Sequence, residues 1–265
     1  MRKFQLYIVP TPIGNIKDIT LRAIDVLKEV DLIACEDSRV TQKLLNHYEI
    51  RTKCISYHKY NEKERLNLLS DYIKEGKTIA LVSDAGTPMI CDPGYVLINE
   101  LLKRGVSINA LPGACVVPTF LSAVPRETED FLFIGFIGKT EKQITETFKK
   151  YSDMNLLFYD SPNRIVKTLE YLENVRPVAK VAVGRELTKL FETIIIKDVK
   201  TAIKEIEPKG EFVCFVYKDE KGQTSDLDLK IKALKDKDYG AKDITTILTS
   251  LYPDLNKNEV YKKTI

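Results

Sequence analysis

The sequence predicts an α/β fold: two α/β domains followed by a small helical appendage. Three observations lead there. Between Phe4 and Val124, short apolar runs rich in β-branched residues alternate with stretches of helical spacing. That alternation implies a parallel sheet with helices on both faces. The strand ends open into loops of glycine, proline and small polar residues, the longest being Val82–Tyr95, VSDAGTPMICDPGY. The strand-and-helix pattern then restarts at Phe131 and gives way to a purely helical tail after a polar tract. The expected domains are 1–118, a parallel α/β unit; 119–223, a mixed-sheet α/β unit; and 224–265, a small helical unit.

Strand one reads as Phe4–Val9, closed by Pro10-Thr11-Pro12-Ile13-Gly14-Asn15. Leu21, Ile24, Leu27 and Val30 repeat at helical spacing. Leu32–Cys35 is a short strand, followed by Glu36-Asp37-Ser38-Arg39 and a helix through Leu44, Leu45 and Tyr48. Lys53–Tyr57 is the third strand. Asn61, with Glu64 three residues on, reads as a capping box opening the helix Glu62–Lys74, which closes near Gly76. Thr78–Val82 is a fully apolar strand of the kind buried on both faces. The long loop follows it, then the amphipathic helix Gly94–Arg104 stopped by Gly105. Val106–Leu111 is the fifth strand, ending in Pro112-Gly113-Ala114-Cys115.

In the second unit, strands are expected at Phe131–Ile137, Leu156–Tyr159, Ala179–Val183, Thr193–Ile196 and Glu211–Tyr217, forming a mixed sheet. Helices fall at Thr140–Tyr151 and Ile165–Leu172. Tyr217–Ser225 is the polar tract taken as a boundary. In the tail, Ile244, Ile247, Leu248 and Leu251 lie at helical spacing, and Asn256 reads as a cap before Val260 and Tyr261.

The loops Pro10–Asn15, Glu36–Arg39, Ser83–Gly94 and Pro112–Cys115 all follow strand ends. In a parallel sheet they share one edge and make a crevice for a ligand. Gly86 and Gly94 allow close backbone approach, and Asp84 and Asp92 offer carboxylates or helix caps. A connection this long between strand and helix is more often functional than a plain turn. Neither G-x-G-x-x-G nor G-x-x-x-x-G-K-[ST] occurs, so no standard dinucleotide or P-loop site is supported.

Composition narrows the classes. The 265 residues carry a net charge of +3, 44% hydrophobic and 30% charged residues, as in ordinary globular chains. Cys35, Cys54, Cys91, Cys115 and Cys214 are widely spaced, with no C-x-x-C pair. They read as reduced thiols in a cytoplasmic protein, with no disulfide framework. With two histidines, His47 and His58, a metal cluster is not expected; both read as surface or packing residues, His58 with the alternative of lining the pocket because it follows a strand end. No apolar run reaches membrane-spanning length, and the front MRKFQLYIVPTP is too briefly apolar for a signal peptide.

Six runs, in this order, carry a resemblance: LYIVPTPIGNIKDITLRAIDVLKEVDLIACEDSR, ISYHKYNE, ALVSDAGTPMICDPGY, FYDSPNR, GRELTK and KGEFV. Together they resemble the bacterial ribosomal RNA small subunit methyltransferase I family of the tetrapyrrole methylase superfamily. The likeness spans nearly the whole chain, including KDITTILTSLYPDLNKNEVYKK of the tail. It implies two α/β domains of the tetrapyrrole methylase type, S-adenosylmethionine bound in a cleft between them, and a homodimer. It also implies methylation of a cytidine ribose 2′-hydroxyl in small-subunit ribosomal RNA, as bare RNA or assembled subunit, without metal or membrane. Three stretches depart from the family's pattern. PGPSA reads Pro112-Gly113-Ala114-Cys115-Val116, and ESPHR reads Asp160-Ser161-Pro162-Asn163-Arg164, without its histidine. The basic motif after the strand ending GF is weakened to Gly138-Lys139-Thr140-Glu141-Lys142.

Given that resemblance, Ser83, Asp84, Ala85, Gly86 and Thr87 are candidates to hold the cofactor's polar atoms, with Pro10 and Thr11 beside them. Pro112, Gly113 and Ala114 are placed against the adenosine, and Ile90, Tyr159 and Ser161 complete the contact. A ribose hydroxyl is a weak nucleophile, so a group that removes its proton is expected. The candidates are Asp37, Asp84, Arg185 and Glu186. A helix cap is an equal reading for Asp37, and a structural ion pair is the competing one for Arg185 and Glu186. Arg39, Lys43, Lys139, Lys142, Arg185 and Lys189 are expected along the rim as phosphate contacts; a solvated face is the commoner role of such lysines. Two rival functions stand beside this one: a methyltransferase of the same fold acting on a tetrapyrrole or other small molecule, and a non-catalytic ribosome-assembly factor.

Overall fold

The computed structural model describes residues 4–219, 225–253 and 255–264. Met1–Lys218 form one compact unit and Asp219–Ile265 a second. The expected boundary between 118 and 119 falls within a helix, Val116–Ser122. The one expected between 223 and 224 lies outside the described residues.

The first sheet contains β1 (Leu6–Ile8), β2 (Leu32–Cys35), β3 (Cys54–Ser56), β4 (Ile79–Val82) and β5 (Ile108–Ala110). Their spatial order is β3-β2-β4-β1-β5, and every pairing is parallel. Side chains alternate across it. Ile33, Cys35, Ala80 and Val82 face α1 (Leu21–Glu29) and α2 (Ser38–His47). Leu32, Ala34, Ile79 and Leu81 face α3 (Glu62–Lys74) and α4 (Tyr95–Lys103). Both faces are therefore covered, as the uninterrupted apolar strands require.

That arrangement fixes where a ligand enters. β1 and β4 are neighbours, yet β1 leads to α1 on one face and β4 to α4 on the other. Their loops diverge at the sheet edge, and such a switch point leaves a crevice. The loops are joined at their base by paired backbone bonds, Thr11 N–H to Gly86 O at 2.9 Å and Gly86 N–H to Thr11 O at 3.0 Å.

The capping box expected at Asn61 is not formed. The Asn61 side chain accepts from His58 N–H at 2.8 Å and donates to Ser56 O at 3.2 Å, tying the preceding turn instead. Glu62 serves the long loop: its Oε1 accepts from Tyr57 Oη at 3.0 Å and from Gly94 N–H at 3.2 Å.

Helix α5 (Val116–Ser122) leads into the second sheet, made of β6 (Leu132–Phe136), β7 (Leu156–Asp160), β8 (Lys180–Arg185), β9 (Thr193–Asp198) and β10 (Phe212–Val216). The order is β6-β7-β10-β8-β9, with β6 and β7 parallel and the other pairs antiparallel, a mixed sheet as expected. One face packs Phe158, Val181, Val183 and Cys214 against α6 (Glu141–Lys150), α7 (Ile165–Val175) and α8 (Val199–Glu205). The opposite face packs Leu157, Ala182, Val213 and Phe215 against Phe120 and Leu121 of α5 and against Ile13 from the first loop. Ile13 thus ties the β1 loop to the second sheet, and Asn15 N–H donates to Thr188 Oγ1 at 3.0 Å nearby.

In the second unit, α9 (Ser225–Lys235), α10 (Ala241–Leu251) and α11 (Lys257–Thr264) bury Ile231, Ile244, Leu248 and Val260 together. Asn256 Oδ1 accepts from Asn258 N–H at 2.9 Å, the cap read from sequence. No helix of the described residues is long and apolar enough to cross a membrane.

Candidate active site

A cavity of about 330 Å³ lies where the ends of the first sheet's loops meet the second sheet. That is within the range of small-molecule pockets, roughly 300–1,000 Å³. One wall is Ala85, Gly86, Thr87, Ile90, Cys91 and Asp92 from the long loop. Ile13, Cys115 and Val116 come from the loops after β1 and β5. The second sheet supplies Phe136, Tyr159, Asp160, Ser161, Gly184, Leu187 and Glu211, with Phe212 and Val213 at the floor.

The sequence candidates divide into three groups. Ala85, Gly86, Thr87, Ile90, Tyr159 and Ser161 line the cavity. Ser83, Thr11, Pro10 and Ala114 stand behind that wall and shape it. Ser83 Oγ donates to Gly86 O at 3.0 Å, Thr11 Oγ1 donates to Ser83 O at 3.0 Å, and Thr87 Oγ1 donates to Ala114 O at 3.0 Å. Pro10 packs so closely on Gly113 that a Cβ there would lie 2.7 Å from the proline's own. Pro112 and Gly113 themselves are exposed.

Gly86 has φ of +79° and is buried. A Cβ there would stand 3.1 Å from Ile13 Cγ2 and 3.6 Å from Ala114 O. Valine at 86 therefore acts by straining the loop, since β-branched residues avoid positive φ.

Asp37 takes the cap reading. It lies beyond the end of β2, whose Cys35 pairs with Val82 of β4, so Asp37 and Asp84 are adjacent. Asp37 N–H donates to Asp84 Oδ1 at 2.9 Å. Its carboxylate caps α2 through Arg39 N–H at 2.8 Å and is clamped by the Arg39 guanidinium at 2.6 Å. Those bonds hold it down to about 2, too acidic to take a proton from a sugar near neutral pH.

Arg185 and Glu186 do not reach the cavity, and they do not pair with each other. Successive strand residues face opposite ways. Gly184 faces the cavity, so Arg185 points away, into a smaller hollow of about 240 Å³ with Val183, Ile195 and Glu207. There it bonds Lys209 O at 2.7 Å and pairs with Glu207 at 3.1 Å. Glu186 turns back with φ of +51° to accept from Glu211 N–H and Lys189 Nζ, both at 2.9 Å. The ion-pair reading of this stretch holds, with other partners than expected. Asp160, also on the cavity lining, is buried and bound by Arg164, Thr168 and Ser161 N–H.

Asp92, read from the sequence as a loop carboxylate or helix cap and not among the expected site residues, proves to belong to the site. It caps nothing, because α4 starts at Tyr95 with Gly94 as its cap. It lines the cavity. Burial, and then the negative charges of Glu36 and Asp84, push its carboxyl up to about 6. Glu36 is raised too, by burial and by Asp84. Burial pushes the Tyr159 phenol well above its usual range, helped by Cys115, Cys91 and Asp92, so it stays neutral. Strongly perturbed groups converging on one cavity mark a reactive site. Among the described residues no group of acidic, histidine and cysteine side chains is arranged to hold a metal ion.

Fold and cavity define a class: two-sheet α/β enzymes that take a small ligand at the carboxyl edge of a parallel sheet. Residues 5–203 match the model of the Tetrapyrrole (Corrin/Porphyrin) Methylases. The chain is 41% identical over 268 residues to the ribosomal RNA small subunit methyltransferase I of Vibrio cholerae serotype O1, covering 97% of this chain and 93% of that one. It is 39% identical over 269 residues to the protein of that name from Escherichia coli O157:H7, again covering 97% and 93%. With that from Bacillus subtilis strain 168 it shares 42% over 217 residues, 80% of this chain and 74% of the relative. Among solved structures, diphthine synthase superposes with a TM-score of 0.65 at 13% identity, covering 82% and 90% of the two chains. Uroporphyrin-III C-methyl transferase from Thermus thermophilus, complexed with S-adenyl homocysteine, gives 0.55 at 18%, covering 80% and 97%. At such identities these two show the fold alone. The chain belongs to the ribosomal RNA small subunit methyltransferase I family, within the tetrapyrrole methylases.

Proposed function

We propose that the protein methylates the 2′-hydroxyl of a cytidine ribose in small-subunit ribosomal RNA, with S-adenosylmethionine as donor. The observation that carries the reading is the match over 97% of the chain to relatives named for that RNA. The cavity's chemistry suits the donor. Ile13, Ile90, Tyr159 and Leu187 give apolar walls for an adenosine. The carboxylates at its edge, Asp92 with Glu36 and Asp84 beside it, favour a cationic ligand.

When bound, S-adenosylmethionine supplies a methyl carbon on a sulfonium, which departs as a neutral thioether. The chain's own residues do the rest. Ala85, Gly86, Thr87 and Ser161 fix the donor's polar atoms, so that the reacting centres meet in line. Ser83, Thr11 and Ala114 hold that wall in place. Asp92 accepts the hydroxyl proton, its carboxyl close enough to neutral pH to be charged yet still basic. Asp84 is a positioning residue: it anchors the Asp37 backbone and raises Asp92 by its charge.

RNA is held at the rim by exposed cations. Lys43 and Lys139 keep that role, being exposed; Lys142 is exposed too but stands 4.0 Å from Glu146, one helical turn on. Arg39, Arg185 and Lys189 are already engaged with carboxylates. The protein works in the cytoplasm, where its substrate is assembled, and does so as a homodimer, a state that light scattering at micromolar concentration tests.

The acceptor is the deciding measurement. Labelled methyl groups are expected to pass from donor to small ribosomal subunits or their RNA, and none to uroporphyrinogen. Label on the tetrapyrrole alone would overturn the reading, and absence of transfer with intact donor binding would leave an assembly factor.

A further inference from the structure

Phe136 is an anomaly on the second sheet. It ends β6, where an apolar ring is expected to be covered, yet it is 62% exposed. The backbone is built to put it there. β6 pairs with β7 in regular register at Phe133 and then shifts, so that Phe136 stands opposite Tyr159. Gly135 inside the shift has φ of +67°, which lets the strand kink. Bulges of this kind re-aim a side chain, often beside a site. Tyr159 packs edge-on against the ring with centroids 5.5 Å apart, and Tyr159 packs edge-on against Phe133 at 5.2 Å. Phe136 lines the cavity that also holds Asp92. Exposed Lys139 follows three residues later, and exposed Lys142 opens α6.

Resting on the RNA reading above, we infer that Phe136 is the platform on which the base of the target nucleotide stacks. Single-stranded RNA is commonly read by unstacking a base onto an aromatic ring while cations take the neighbouring phosphates. One short connection here offers both, ring first and lysines after. A base on Phe136 delivers its ribose to the cavity mouth, where Asp92 takes the proton. A phenyl ring has no hydrogen-bonding group, so it fixes the plane of the base and not its identity.

The test compares Phe136→Ala and Phe136→Tyr with the wild type, using small-subunit RNA as acceptor and S-adenosylhomocysteine as the donor-site probe. The ring is largely exposed, so both variants fold; Phe136→Ala loses its edge-on contact with Tyr159 and its Tm falls by at most a few degrees. For Phe136→Ala, KM for RNA rises about tenfold to a hundredfold, the loss typical of one base–aromatic stack. Calorimetric affinity for S-adenosylhomocysteine stays at the wild-type value, and Phe136→Tyr restores KM. An alanine variant that loses S-adenosylhomocysteine affinity in step with RNA would assign the ring to the donor and overturn the inference. A wild-type KM in that variant would overturn the platform alone. A wild-type protein that methylates no RNA would overturn the functional reading and the platform with it.

Discussion

Asp92→Asn is expected to slow methyl transfer by about 10²- to 10⁴-fold, the usual contribution of a positioned general base. Affinity for S-adenosylhomocysteine, which lacks the sulfonium charge, changes far less, because the amide keeps the shape of the wall. The pH profile identifies the cause. In the wild type, kcat/KM rises as pH climbs through about 6, where Asp92 of the free enzyme loses its proton. The variant has no such limb. Stability moves the opposite way. The carboxyl titrates at about 6 in the fold against 3.8 in the unfolded chain, so the folded state holds the proton more tightly. Its contribution is intact below 3.8 and is lost as pH rises through 6. Above that pH the fold carries a charge it disfavours, and asparagine relieves it. Asp92→Asn should therefore match the wild type in Tm near pH 4 and exceed it by about 2–4 °C at pH 7.5, roughly 1 kcal/mol once the shift is discounted for the solvent that still screens a half-buried carboxyl. A variant with wild-type kcat and an unchanged acidic limb would remove Asp92 from the mechanism, and Asp84 would be the next group to test.

The contrast between Asp92 and Arg185 shows what a single sequence encodes. Strands were legible because burial on both faces leaves an unbroken apolar run, as in Ile79–Val82. The ligand edge was legible because the loops after β1, β4 and β5 cannot be packed as core. Both sheets consequently lie where the runs place them, within a residue or two at most ends. Face was harder to read. Arg185 sits at a strand end beside the cavity, as its position suggested, but a shift of one residue along a strand reverses its direction. Only the pairing of Gly184 with Val213 shows which way it points. Asp92 was hidden for another reason. Its basicity comes first from burial and then from Glu36 and Asp84, which follow two neighbouring strands far apart in the chain. Strand order, not local pattern, brings those charges together. The weak trace available was a carboxylate in a Cys91-Asp92-Pro93-Gly94 turn two residues ahead of the glycine that caps α4.

Phe120→Ala is expected to be the most destabilising single change near the site, costing about 3–5 kcal/mol, as for other fully buried aromatic rings. The ring is completely buried, and it packs with Ile13 from the β1 loop, Leu157 and Ala182 from the second sheet, and Val213 beneath the cavity. Its seat depends on Gly184 having no side chain, since a Cβ there would come within 2.8 Å of the ring. Glycine inside a strand marks such a close approach. Removing the ring leaves a void behind Gly184 and Val213, both of which line the cavity. The loss thus falls on stability and on the donor site together. A Tm lower by roughly 10 °C is expected, with weaker S-adenosylhomocysteine binding. Phe120→Leu fills much of the space and should recover most of both. S-adenosylhomocysteine at one fixed excess concentration should raise the Tm of Phe120→Ala by less than that of the wild type, because stabilisation by a ligand scales with the logarithm of its concentration relative to Kd. An alanine variant within about 1 kcal/mol of the wild type would mean that α5 and the second sheet close over the gap, and that the cavity floor does not depend on the ring.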